Sequence, residues 1–175
     1  MAGEPVVVVP YDPEWPDIFE QERAALAAAL AGFDLSIEHV GSTAVAGLAA
    51  KPIIDILIES SELPKPASSI EGRDEPSPMA RAIESCGYLI GPSDGEYIRC
   101  FKKDPQCNLW IYPPGDPRAE KCLLLRDYLG KHRDVAIEYQ ELKQRLMLKY
   151  PNDGAAYNLE KQPLVDHIVD RARRP

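Results

Sequence analysis

The chain reads as α+β: a small mixed β-sheet with flanking helices, followed by a C-terminal helical region. Three observations predict this. Short β-branched and apolar runs, punctuated by Pro and Gly, recur as far as Tyr112. From Arg118 onward apolar residues recur at helical spacing instead. Between these regimes lies Pro113-Pro114-Gly115-Asp116-Pro117, a turn cluster that closes the sheet part. With 175 residues the chain suits a single domain, 1–175, divided into an α/β part over about 5–116 and a helical part over 117–173.

Val6 to Val9, bounded by Pro5 and Pro10, predicts an edge strand. A helix follows to about Ala31, with Asp12 or Asp17 as its cap and Gly32 as its stop. Leu35 to Val40 predicts a strand ending at Gly41, Thr43 to Ala50 a helical turn, and Pro52 to Glu59 a second strand. Ser60 to Pro78 is rich in Ser, Pro and Glu and reads as an exposed loop within the domain. Met79 to Cys86 predicts a short helix, and Tyr88–Ile90, Tyr97–Lys102 and Cys107–Tyr112 predict strands. Arg118–Gly130 and His132–Tyr150 are helical, the latter with Val135, Tyr139, Leu142 and Leu146 on one face. Asn152 or Asp153 caps a last helix that sets Tyr157, Lys161, Leu164 and Ile168 on one face.

A net charge of −8 argues against a sequence-independent nucleic-acid binder, which needs a basic footprint, but leaves room for a mononucleotide and a few local cations. No apolar run approaches the ~20 residues that span a bilayer. The start, Met1-Ala2-Gly3-Glu4, carries no basic n-region, so no signal peptide is expected and a cytoplasmic location is predicted. Cys86, Cys100, Cys107 and Cys122 form no C-x-x-C pair and read as packed, reduced thiols.

Chemistry concentrates in His39-Val40-Gly41-Ser42-Thr43 and Lys51-Pro52-Ile53-Ile54-Asp55-Ile56-Leu57-Ile58-Glu59. A Gly-Ser turn lets backbone N–H groups approach a phosphate, or is simply a turn with a hydroxyl cap. Asp55 stands in an otherwise apolar run, where a carboxylate is costly unless paired or metal-bound. Alternation gives Asp55, Leu57 and Glu59 one face. A two-ion site wants its second acid at Leu57; Glu59 lies roughly 6–7 Å further along. His39 reads as a general base, a ligand contact or a satisfied core histidine. Asn108 and Trp110 alternate on a late strand, where Trp110 stacks a base or fills the core. Lys161, on an apolar helix face, calls for an anion or extends to water. Arg126 offsets charge from the helical side or forms a surface pair with Asp127.

Glu38-His39-Val40-Gly41-Ser42-Thr43, Gly47-Leu48 and Ala50-Lys51-Pro52-Ile53-Ile54-Asp55-Ile56 resemble the GrpB family, which is described as nucleotidyltransferase-like. The resemblance continues through Asn108-Leu109, Leu125-Arg126-Asp127-Tyr128-Leu129, Tyr157 and Lys161, covering about Val9 to Ala172. It implies a nucleotidyltransferase-like α/β fold with a helical C-terminal region, and places for triphosphate and metal at Gly41-Ser42 and Asp55. The superfamily's second and third acids fall at Leu57 and Asn108, and Trp110 replaces the family's usual His.

The expected function is therefore that of an enzyme, a transferase acting on a nucleotide or another phosphorylated or activated small molecule. Asp55, His39 and Glu59 are its candidate catalytic groups. Gly41, Ser42, Thr43, Lys51, Asn108, Trp110, Arg126 and Lys161 are candidate ligand or phosphate contacts, and Asp55 a candidate for a single Mg²⁺. The partner is an anionic small molecule, not a nucleic-acid polymer or a membrane. Two alternatives stand beside this: a metal-independent acid/base enzyme on the same scaffold, and a non-catalytic ligand-binding module.

Overall fold

The computed structural model describes residues 5–66, 75–91 and 96–174. The middle of the loop expected over Ser60–Pro78, residues 67–74, and the four N-terminal residues lie outside the described residues. The chain forms two compact units. One gathers Met1–Pro13, Val40–Ile53 and Glu120–Pro175; the other gathers Glu14–His39 and Ile54–Ala119. The second unit ends at Ala119, and segments 1–13 and 40–53 cluster with the late helices.

The second unit holds the sheet, with strand order β1-β2-β5-β4-β3. The strands are β1 (Leu35–Val40), β2 (Ile54–Ser60), β3 (Leu89–Ile90), β4 (Ile98–Lys103) and β5 (Gln106–Tyr112). β2 and β5 pair in parallel, and β4 pairs antiparallel with β5 and with β3, so the sheet is mixed as its short apolar runs predict. Ile56, Leu57, Ile58, Leu109 and Ile111 are buried, the pattern of central strands covered on both faces. Helix α1 (Trp15–Ala29) has Glu14 at its N-cap with no side-chain cap bond, rather than Asp12 or Asp17. A proline in its first turn, Pro16, presets the helical φ without needing a donor. Helix α2 (Pro78–Ser85) is capped by Ser77, whose side chain accepts from the Ala80 N–H at 3.2 Å.

The first unit holds α3 (Pro117–Lys131) from Glu120 on, α4 (Arg133–Lys149) and α5 (Gly154–Ala172). Val135, Tyr139 and Leu146 are buried on α4, as their spacing predicts. With Val45, Leu48, Leu129, Val165 and Ile168, the first two belong to one apolar cluster; Leu146 packs with Val6 and Tyr157 in another. Asp153 caps α5, accepting from the Ala156 N–H at 2.9 Å. The strand expected over Val6–Val9 is not formed. Val9 makes one antiparallel bridge with Ala50, and the Val6 N–H donates instead to the Pro151 carbonyl at 2.8 Å. With no adjacent long strand, only Val6 of this run is buried, packed with Leu146 and Tyr157, while Val7 is exposed. Among the described residues no helix is long and apolar enough to cross a membrane.

Candidate functional site

In the sheet unit, parallel register sets Asp55 opposite Asn108, Leu57 opposite Trp110 and Glu59 opposite Tyr112. Asn108 Nδ2 donates to Asp55 Oδ1 at 2.9 Å, and Arg99 Nη2 donates to Asn108 Oδ1 at 3.3 Å. The carboxylate that the sequence marks as costly is thus satisfied in part by the Asn108 amide on the neighbouring strand. The Arg99 guanidinium lies 4.8 Å from the Trp110 ring centroid, and Tyr97 stacks on Trp110 at 6.3 Å. Trp110 is therefore one layer of a cation–aromatic stack. Leu57 is 1% exposed and belongs to the core.

Glu59 sits four residues beyond Asp55, about 13 Å along the strand. It accepts from the Gly115 N–H at 3.1 Å and lines a depression with Asp34, Leu35, Ser36, Ser61, Pro114 and Gly115. It does not join Asp55 in one carboxylate pair. The His39 imidazole stacks on Phe19, centroids 4.6 Å apart and planes 11° from parallel. Among the described residues no group of three or more His, Cys, Asp or Glu side chains gathers to hold an ion. Asp55 offers a carboxylate to which an amide N–H already donates, and Leu57 and Asn108 supply no second or third. This donor set does not fit a two-ion centre.

In the helical unit, Gly41 has φ 74° and ψ −169°, a region open essentially to glycine alone. It turns the chain into a single 3₁₀ turn, Ser42–Ala44, shorter than the helical turn expected over Thr43–Ala50. Thr43 is 1% exposed, and its hydroxyl donates to the Ile53 carbonyl at 3.4 Å, closing the segment on itself. Two lysines converge on the buried Tyr157 ring: Lys51 Nζ is 4.6 Å and Lys161 Nζ 5.4 Å from its centroid. Arg126 is bonded to its neighbour Asp127 at 2.7 Å.

One residue escaped the sequence reading. Lys143 is 2% exposed. Its Nζ donates to Ser42 Oγ at 3.0 Å and to the Ala49 carbonyl, and lies 4.7 Å from the Tyr139 ring centroid. Burial, followed by repulsion from Lys161, lowers its pKa from 10.5 to about 7. A signal existed: Lys143 is four residues after Tyr139 and three before Leu146, on the same apolar face.

The family model for GrpB protein matches residues 5–171. The UPF0157 protein of Pseudomonas aeruginosa is 37% identical over 183 residues, an alignment covering 95% of this chain and 67% of that protein. The crystal structure of GrpB from Enterococcus faecalis superposes with a TM-score of 0.77 at 26% identity, covering 96% of this chain and 100% of that one. A cytoplasmic RNA terminal U-transferase superposes with a TM-score of 0.50 at 13% identity over 78% of this chain and 40% of that one. That likeness is one of fold, and it shows a nucleotidyltransferase-like scaffold. The glycine turn, the Asp55 strand and the family model matched to residues 5–171 together make this chain a member of the GrpB family.

Proposed function

We propose that this protein is a cytoplasmic enzyme of the transferase kind, acting on a nucleotide or another phosphorylated small molecule. The observation that carries the reading is the convergence of Lys51 and Lys161 on Tyr157, in the same unit as the Gly41-Ser42 turn. Two lysine side chains gathered at one ring give this unit a local positive potential, which favours a multiply charged anion. In a chain of net charge −8 such a grouping is local and selective. The glycine-only turn lets a phosphate approach the backbone without meeting a Cβ. In the sheet unit, Asp55 is the group available for acid/base work, and no step of the reading passes through a metal.

The test is a thermal-shift panel of nucleoside triphosphates, pyrophosphate and inorganic phosphate at millimolar concentration, with and without Mg²⁺. A ligand at 100 times its Kd stabilises by about 2.7 kcal/mol. A clear rise in Tm that disappears in the Lys51→Met, Lys161→Met double variant is the expected result. Asp55→Ala, assayed separately, asks whether the carboxylate contributes. A panel without any shift removes the anion reading and leaves the non-catalytic alternative ahead.

A further inference from the structure

We propose that Ser42 is a nucleophile and Lys143 its general base, a serine–lysine dyad directed at phosphorus in an activated phosphoryl compound. The substrate class rests on the anion reading above; the dyad rests on its own geometry. Lys143 Nζ and Ser42 Oγ are 3.0 Å apart, within proton-transfer reach. The base is oriented by a third group, as such pairs require: Nζ also donates to the Ala49 carbonyl. Ala49 is itself held by α4, because its N–H donates at 2.8 Å to Gln140 Oε1, one helical turn before Lys143. Accessibility runs the right way. The base is 2% exposed, whereas the residue that carries the hydroxyl, Ser42, is only half-buried.

The surroundings favour a free amine. The groups facing Nζ are the Ser42 hydroxyl and Ala49 carbonyl from the segment 40–53, Tyr139 on its own helix, and the Lys161 cation of α5. Among the described residues no carboxylate is bonded to it. Burial and Lys161 together hold its pKa to about 7, so an appreciable fraction carries a lone pair at neutral pH. In the step itself Ser42 Oγ bonds to phosphorus while its proton passes to Lys143 Nζ. The phosphorus–oxygen bond to the leaving group breaks, and the leaving oxygen keeps the electron pair and takes the proton from the Lys143 ammonium. Water or an acceptor hydroxyl then gives its proton to the same amine and bonds to phosphorus; the phosphorus–serine bond breaks, and Ser42 Oγ keeps the electron pair and takes the proton back from the Lys143 ammonium.

A fluorophosphonate probe, which offers an electrophilic phosphorus without needing a recognised substrate, tests the dyad by labelling, digestion and mass spectrometry. The expected result is covalent label on Ser42, with a rate that rises with pH through about 7. Ser42→Ala abolishes it, and Lys143→Met slows it by about 10²-fold or more. Lys143→Arg, which keeps the cation but cannot lose its proton, slows it likewise. Should Lys143→Met misfold by circular dichroism, the arginine variant and the wild-type pH profile decide. Absence of label on Ser42 in the folded protein, labelling that ignores pH, or wild-type labelling of the lysine variants overturns the dyad. Label on Ser42 together with a flat phosphate thermal-shift panel keeps the dyad and removes the anion reading.

Discussion

Each unit draws one lysine amine away from solvent, partly for Lys102 and almost wholly for Lys143, and the two are accommodated in opposite ways. In the sheet unit Lys102 Nζ donates to Glu22 Oε1 at 2.8 Å, and the Tyr88 hydroxyl donates to Glu22 Oε2 at 2.8 Å. Glu22 is 5% exposed, and every charge in this trio has a partner. In the helical unit Lys143, at 2% exposure, meets neutral oxygens, the Tyr139 ring and a second cation, and among the described residues no carboxylate is bonded to it. The first arrangement is what a fold needs to tolerate a buried charge. The second leaves an unbalanced group, and a group kept unbalanced inside a core is available for chemistry.

That contrast is sharpest where one partner is removed. Glu22→Ala strands the Lys102 ammonium and the Tyr88 hydroxyl, so urea unfolding is expected to show a loss of about 3 kcal/mol. A loss well below 1 kcal/mol would mean that the trio is not holding the sheet unit together. Lys143→Met should behave differently. Its folded pKa of about 7 lies below the unfolded 10.5, so the unfolded chain binds more protons between those values. Wild-type stability therefore gains from Lys143 as pH rises from 7 to 10.5, by at most about 1.4 kcal/mol per pH unit, and carries the full penalty below 7. Unfolding curves of Lys143→Met should lack that part of the slope, so the variant should stand highest relative to wild type below pH 7 and lose that advantage as pH rises toward 10.5. Parallel curves for the two proteins across this window would erase the distinction between the lysines. Lys161→Gln has the smallest effect. It removes the lesser of the two causes, so the window should begin at higher pH without closing. An unmoved window would show that Lys161 is not felt at Nζ.

Legibility in the sequence follows the same division. Asp55 stood out because a carboxylate in the run Ile53-Ile54-Asp55-Ile56-Leu57-Ile58 violates a local pattern, and a strand makes that violation visible over a few residues. Its partner Asn108 was named for its place in the family pattern, and parallel register alone brings the two side chains to 2.9 Å. Lys143 violated a pattern too, but a lysine on a helix face reads as a stem lying over the core with its head in water. Only packing decides whether the head reaches water. Glu59 shows the converse: strand parity put it on the face of Asp55, while distance along β2 and the Gly115 contact set it apart. Val6–Val9 carries strand composition, yet it makes only a single bridge because pairing needs a neighbour that composition cannot supply.

The sequence by itself determined the α+β order of elements, the glycine turn before Ser42, the lone carboxylate on β2 and family membership. Each is written in residues close together, where periodicity and backbone sterics act. The tertiary structure decided that a lysine 101 residues away ends on Ser42, and that an amide 53 residues away ends on Asp55. Periodicity says which face of an element is buried, but not which side chain of a remote segment is buried against it. The protonation of Lys143 depends on that encounter, because the desolvation that shifts it exists only once the helices have closed around it.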